Sequence, residues 1–143
     1  MFAFFGNGLD MVIRTSETAQ IQLILASGEK AQARSLMRDL QASRYAYHFA
    51  HSTDRKTLVA DVKALIDRSK GSLPTVLVIN SKFAGPCCET LLRVARDAAK
   101  VMAIECVVTN PPPGRGARAR LARLGARLFD GEVSEILAEP ALH

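Results

Sequence analysis

Several groups of side chains in this 143-residue sequence could do chemistry, and each can be weighed by its spacing. Ser27, Asn80, the pair Thr109–Asn110 and the stretch Asp130–Glu132 each follow directly on an apolar run. Cys87 and Cys88 are adjacent, and Cys106 is the third and last cysteine. Neighbouring cysteines bridge only through a strained ring, and an odd count is a poor disulfide framework. A helix start can lower a thiol pKa and ready it as a nucleophile, but no histidine has an evident place beside Cys87 and Cys88. Buried or free thiols in a reducing cytosol are the expectation. His48 and His51 form an HxxH pair. On a strand, residues three apart lie on opposite faces, which argues against a shared metal ion. Five arginines (Arg115, Arg118, Arg120, Arg123 and Arg127) crowd one short stretch. On a helix, Arg115, Arg118 and Arg123 would point away from an inward face of Ala117, Leu121 and Leu124, with Arg120 on its flank. That is either a solvated face or an interaction surface. No strand end carries a Gly-rich phosphate loop. The sequence therefore assigns no catalytic residue, no metal ligand and no cofactor.

The elements that must position these groups follow from composition and period. Apolar residues make up 48% and charged residues 23%, enough apolar material for one domain with a substantial core. The net charge of +5 permits anionic partners without requiring them. No run reaches the roughly 20 apolar residues that span a bilayer. The apolar start, Met1 to Ile13, is broken by Gly6, Asn7, Gly8 and Asp10 and has no basic leader. A cytoplasmic protein without a membrane partner is expected.

Ile21 to Leu25 reads as a strand ending at Ala26-Ser27-Gly28, and Glu29 to Ala42 as a helix. Tyr45 to Ala50 reads as a strand; Ser52, Thr53 or Asp54 can cap the next helix, which ends near Lys70-Gly71. Pro74 to Ile79 has no polar alternation, as in a strand buried on both faces of a parallel sheet. Gly85-Pro86 opens a helix, Ile104 to Thr109 is a strand, and Asn110 to Gly114 is a loop. Arg115 to Leu124 is a short helix and Arg127 to Phe129 a last brief strand. Val133, Ile136 and Leu137 mark a final helix that stops before Pro140. Five strands alternating with five helices predict an α/β fold, a doubly wound five-stranded parallel sheet in a three-layer sandwich.

From Ile21 to Glu139 the chain resembles the receiver domain of two-component response regulators, the CheY-like fold. The resemblance rests on the strand-helix order, on Gly85 followed by Glu89-Thr90-Leu91-Leu92-Arg93, and on Leu124-Gly125-Ala126 leading to Phe129. It rests also on separations of 30 residues from Asn80 to Asn110 and 22 from Asn110 to Glu132. The resemblance divides the chain into an extension (1–20), a receiver-like domain (21–139) and a tail (140–143).

It implies a phosphorylation pocket, and this pocket is degenerate. Ala26 and Ser27 stand where an acidic pair would hold Mg²⁺, a hard cation that wants carboxylate oxygens. Asn80 replaces the phospho-accepting carboxylate, and its amide is a poor nucleophile. Asn110 replaces the switch hydroxyl, with Thr109 one residue earlier as the alternative. Glu132 reverses the charge of the family's lysine, and Val133 replaces the proline after it. The resemblance also makes the helix and strand bearing Arg115, Arg118, Arg123 and Phe129 the output face. Pseudo-receivers of this kind resemble domains found beside MinD/ParA-type ATPases in pilus-localisation proteins, though no ATPase sequence is present here.

The expected function is therefore a phosphorylation-independent module that contacts a protein partner or a second copy of itself in a two-component-type pathway. The alternative is a nucleic-acid-binding regulator using Arg115–Arg127, since guanidinium forks suit phosphates. Against it stand the lack of a helix-turn-helix, of a zinc motif and of an aromatic platform. The apolar residues of the extension, Phe2, Phe4, Phe5, Met11, Val12 and Ile13, are expected to cover an exposed edge or to mediate a dimer.

Overall fold

A computed structural model describes residues 2–3, 9–14, 21–42, 47–52, 54–69 and 74–130. In chain order the elements are β1 (Phe2–Ala3), β2 (Leu9–Arg14), β3 (Ile21–Ala26), α1 (Lys30–Ala42), β4 (Tyr47–Ser52), α2 (Leu58–Ser69), β5 (Thr75–Asn80), α3 (Ser81–Ala84), α4 (Cys87–Ala98), β6 (Ile104–Thr109), α5 (Arg115–Arg123) and β7 (Ala126–Phe129).

The apolar runs become strands because a parallel sheet covered on both faces leaves no solvated side to mark with polar residues. All six residues of β5 are buried, as are five of the six in β3. Alternate side chains then feed two separate cores. Leu23, Leu25, Val76, Val78 and Val107 pack with Ala33 and Leu36 of α1. Ile24, Leu77, Ile79, Cys106 and Val108 pack on the opposite face with α2, α4 and Leu121 of α5. In α4 the inward stripe is Cys88, Leu91, Leu92, Ala95 and Ala98, spaced by three and four residues as one helical face requires.

The sheet order is β1-β2-β4-β3-β5-β6-β7. Neighbours from β4 through β7 are parallel, while β1 and β2 run antiparallel. The sheet thus has seven strands where five are expected from the sequence. The extra pair comes from the N-terminal extension: Val12, Ile13 and Arg14 align with Ala50, Phe49 and His48, and Phe2 aligns with Ile13. This pairing occupies the row of N–H and C=O groups that β4 would otherwise present as a sheet edge.

Two helix boundaries also depart from the sequence reading. The helix expected to open at Gly85-Pro86 is preceded by a separate turn, α3. Gly85 ends that turn at φ 55°, and Pro86 stands at φ −64° as the N-cap of α4. Only glycine adopts the first conformation without strain, and proline is pre-set for the second. On α5, Ala117 is exposed rather than inward; Leu121 is buried and Arg118 is half-buried. The final helix expected around Val133, Ile136 and Leu137 lies outside the described residues. Among the described residues, no helix is long and apolar enough to cross a membrane.

Candidate functional site

From β3 the chain passes outward to β4, then returns across β3 to β5, β6 and β7. The direction switches between β3 and β5, and the carboxyl ends of strands at such a switch frame a crevice. Ser27 follows the last residue of β3, and Asn80 is the last residue of β5. Both are buried, at 0% and 1% exposure, so their polar atoms must find partners inside the protein.

They find them in each other. Asn80 takes an extended backbone (φ −78°, ψ 106°) and caps α3: its Oδ1 accepts the N–H of Lys82 at 3.0 Å and of Phe83 at 3.3 Å. Its Nδ2 donates to Oε1 of Gln32 at 3.3 Å and reaches Oγ of Ser27 at 3.5 Å. The Ser27 hydroxyl donates to the same Gln32 oxygen at 2.8 Å and accepts the N–H of Glu29 at 3.1 Å. Both ends of the Asn80 amide are thereby used. The ring of Phe83 closes over the loop after β3: a Cβ on Gly28 would lie 2.7 Å from Phe83 Cδ1, so only glycine fits beneath it.

The cluster is neutral throughout. A Mg²⁺ ion of the kind the receiver resemblance implies does not fit it, because hydroxyl and amide groups already committed to one another replace the carboxylates such an ion needs. Ala26 offers no donor atom, and Glu29 is exposed on the loop beyond. Among the described residues, no three His, Cys, Asp or Glu side chains come together. The cluster holds no carboxylate of the kind that forms an acyl phosphate.

Thr109 aligns directly with Asn80 across the sheet, and Phe129 aligns with Thr109. The Thr109 side chain is buried and donates to the carbonyl of Ile79 at 3.5 Å. Asn110, matched to the switch position by separation alone, is exposed and sits at φ 49°, a left-handed conformation that asparagine tolerates. Of the pair, Thr109 is the one level with Asn80. Glu132 lies outside the described residues. Gln32 and Phe83, which complete the cluster, were not singled out by the sequence.

The arginine face is partly neutralised from within. Arg118 donates through Nε to the carbonyl of Pro112 at 2.9 Å and pairs through Nη2 with Asp130 at 3.1 Å. Arg120 pairs with Glu89 of α4, and Arg127 pairs with Glu105 at 3.1 Å. Arg115 and Arg123 are exposed. Phe129 is half-buried against the core on the α1 face. His48 and His51 both fall in β4.

The two buried thiols, Cys88 and Cys106, are the reverse of activated. Burial, with Glu89 beside it, pushes Cys88 up to about 11. Burial, then Cys88 and Glu105, pushes Cys106 up to about 12. The start of α4 thus fails to lower the Cys88 pKa, because desolvation outweighs the helix end.

These features define an α/β protein whose parallel strands, flanked by helices, carry a closed polar cluster at the switch point. No family model matches the chain, and no curated protein matches it. A solved structure of a protein described as a pilus assembly protein (cpaE), from Burkholderia thailandensis E264, is similar with a TM-score of 0.55 over 87% of this chain and 100% of that one. At 15% sequence identity the likeness is one of fold.

Proposed function

We propose that the chain is a receiver-like module of doubly wound, CheY-like architecture that works without phosphorylation, by contact with a protein partner or a second copy of itself. The observation that carries this reading is the Asn80 amide, saturated by Lys82, Phe83, Gln32 and Ser27 in a buried cluster that contains no carboxylate. A phospho-switch needs an acceptor and a metal whose occupancy changes the pocket; here the pocket is fastened shut by its own hydrogen bonds. The strand order β4-β3-β5-β6-β7 and the likeness of fold to a protein described as acting in pilus assembly are consistent with it. The reading makes the chain a cytoplasmic binding protein rather than an enzyme. Nucleic acid is the weaker alternative, since Asp130, Glu89 and Glu105 offset three of the five arginines.

The test is incubation with Mg²⁺ and acetyl phosphate or beryllofluoride, read by intact mass and amide chemical shifts. No adduct and no shift around Asn80 are expected. A stable Mg²⁺-dependent adduct overturns the reading.

A further inference from the structure

At the opposite end of the sheet from Asn80, the last turns of α4 and α5 diverge over the start of β6 and leave a groove of about 230 Å³. Its floor is apolar, made by Leu92, Ile104, Cys106 and Leu124. Its rim carries Arg96 and Arg123, both exposed, and no carboxylate lines it. Among the described residues neither guanidinium forms an ion pair, in contrast to Arg118, Arg120 and Arg127. Each sits in the last turn of its helix, where the helix dipole offsets roughly half a unit charge. Two such arginines therefore leave about one net positive charge over the groove.

From this geometry we infer that the groove docks an acidic peptide segment of a protein partner, one large apolar side chain entering the floor while flanking carboxylates meet Arg96 and Arg123. This deepens the protein-binding reading above and rests on it. Size favours a single anchor: clefts for whole small molecules run to about 300–1,000 Å³, more than is present here. Bidentate guanidinium–carboxylate contacts at the rim would fix the segment's direction. The apolar floor has no aromatic ring on which a base could stack, which favours peptide over single-stranded nucleic acid.

The experiment titrates the ¹⁵N-labelled full chain with the acetylated peptide Glu-Asp-Leu-Glu-Asp and with its charge-reversed counterpart Lys-Arg-Leu-Lys-Arg. The acidic peptide is expected to shift amides of Leu92, Ile104, Cys106 and Leu124, more weakly as salt rises. The double variant R96E/R123E, which changes only exposed side chains and should lower the Tm only slightly through two carboxylates at helix C-termini, is expected to stay folded by amide dispersion and to bind the acidic peptide at least about ten-fold more weakly. The same variant should take up the basic peptide at this groove. No shift at millimolar peptide, equal binding by wild type and variant, or displacement of the peptide by a DNA dodecamer overturns the inference. Acidic-peptide shifts that map to another surface overturn the groove while leaving the protein-binding reading intact. That reading fails separately, by adduct formation with acetyl phosphate.

Discussion

If Asn80 is a structural tie rather than a vestige of phosphotransfer, restoring an aspartate should cost stability and return no chemistry. In Asn80→Asp the cap survives, because a carboxylate oxygen accepts from Lys82 and Phe83 as the amide oxygen does. The Nδ2 donor is lost, and with it the bonds to Gln32 at 3.3 Å and Ser27 at 3.5 Å. In its place a second oxygen faces Oε1 of Gln32, at a site only 1% exposed. Losing a buried donor costs on the order of 1–3 kcal/mol. Rotation of the Ser27 hydroxyl toward the new carboxylate recovers part of this, so about 2 kcal/mol is expected at neutral pH. With a urea m-value of about 2 kcal/mol per molar, the unfolding midpoint should fall by about 1 M. The same variant, given Mg²⁺ and acetyl phosphate, should show no phosphoryl adduct by intact mass, since Ala26, Ser27 and Gln32 supply no carboxylate to hold the ion. An Asn80→Asp protein as stable as wild type would show that the hydrogen bonds contribute little. One that became phosphorylated would show that the pocket is a dormant switch, and the reasoning from the closed cluster would fail.

The remaining predictions test other joints of the fold. In a double-mutant cycle, Asn80→Ala and Gln32→Ala should couple by about 0.5–3 kcal/mol in urea unfolding, whereas simple additivity would mean the two side chains do not act together. Gly85→Ala should lower stability by about 1–3 kcal/mol, read as a fall in Tm, because φ 55° with ψ −129° is strained for any residue with a Cβ and the Arg55 guanidinium fills the space. An unchanged Tm would refute it. At pH 8 a thiol reagent should label half-buried Cys87 before Cys88 or Cys106 in the native state. The folded thiols hold their protons up to about 11 and about 12, against 9.0 in the unfolded chain. Unfolding therefore releases protons above pH 9, and stability should fall as pH rises from there through those values; native labelling of all three cysteines at equal rates would contradict the assignment. Deleting residues 1–18 should strip β2 from β4 and yield aggregation or a larger oligomer by light scattering. A truncated chain that stays as monodisperse as the full one would show that the edge needs no cover.

How much of this was legible in the sequence depended on whether the signal was local. Thr75 to Asn80 and Ile104 to Thr109 announce buried strands because a β-branched run without alternation has few other ways to fold. The N-terminal pairing carried a local signal too: Asn-Gly between apolar runs, as at residues 7 and 8, is a sequence favoured in hairpins, and β1 and β2 pair antiparallel. It is missed when those residues are read as an extension to a family pattern that starts at the next strand. The same habit obscured Asn80. Set against an expected aspartate it looks like a loss, yet asparagine is among the best N-caps, and α3 begins at the next residue. Counting residues to the switch position chose Asn110, but strand register, which a count cannot supply, sets Thr109 beside Asn80. Gln32 had no local signal at all, because its partner Asn80 is 48 residues away and only the folding of β3 beside β5 brings them together. The residues at the positions the receiver resemblance marks could be read one by one, but the mutual bonding of Ser27, Gln32 and Asn80 is a property of the tertiary fold. That is why the sequence could argue what the pocket does not do, while the geometry argues what holds it closed.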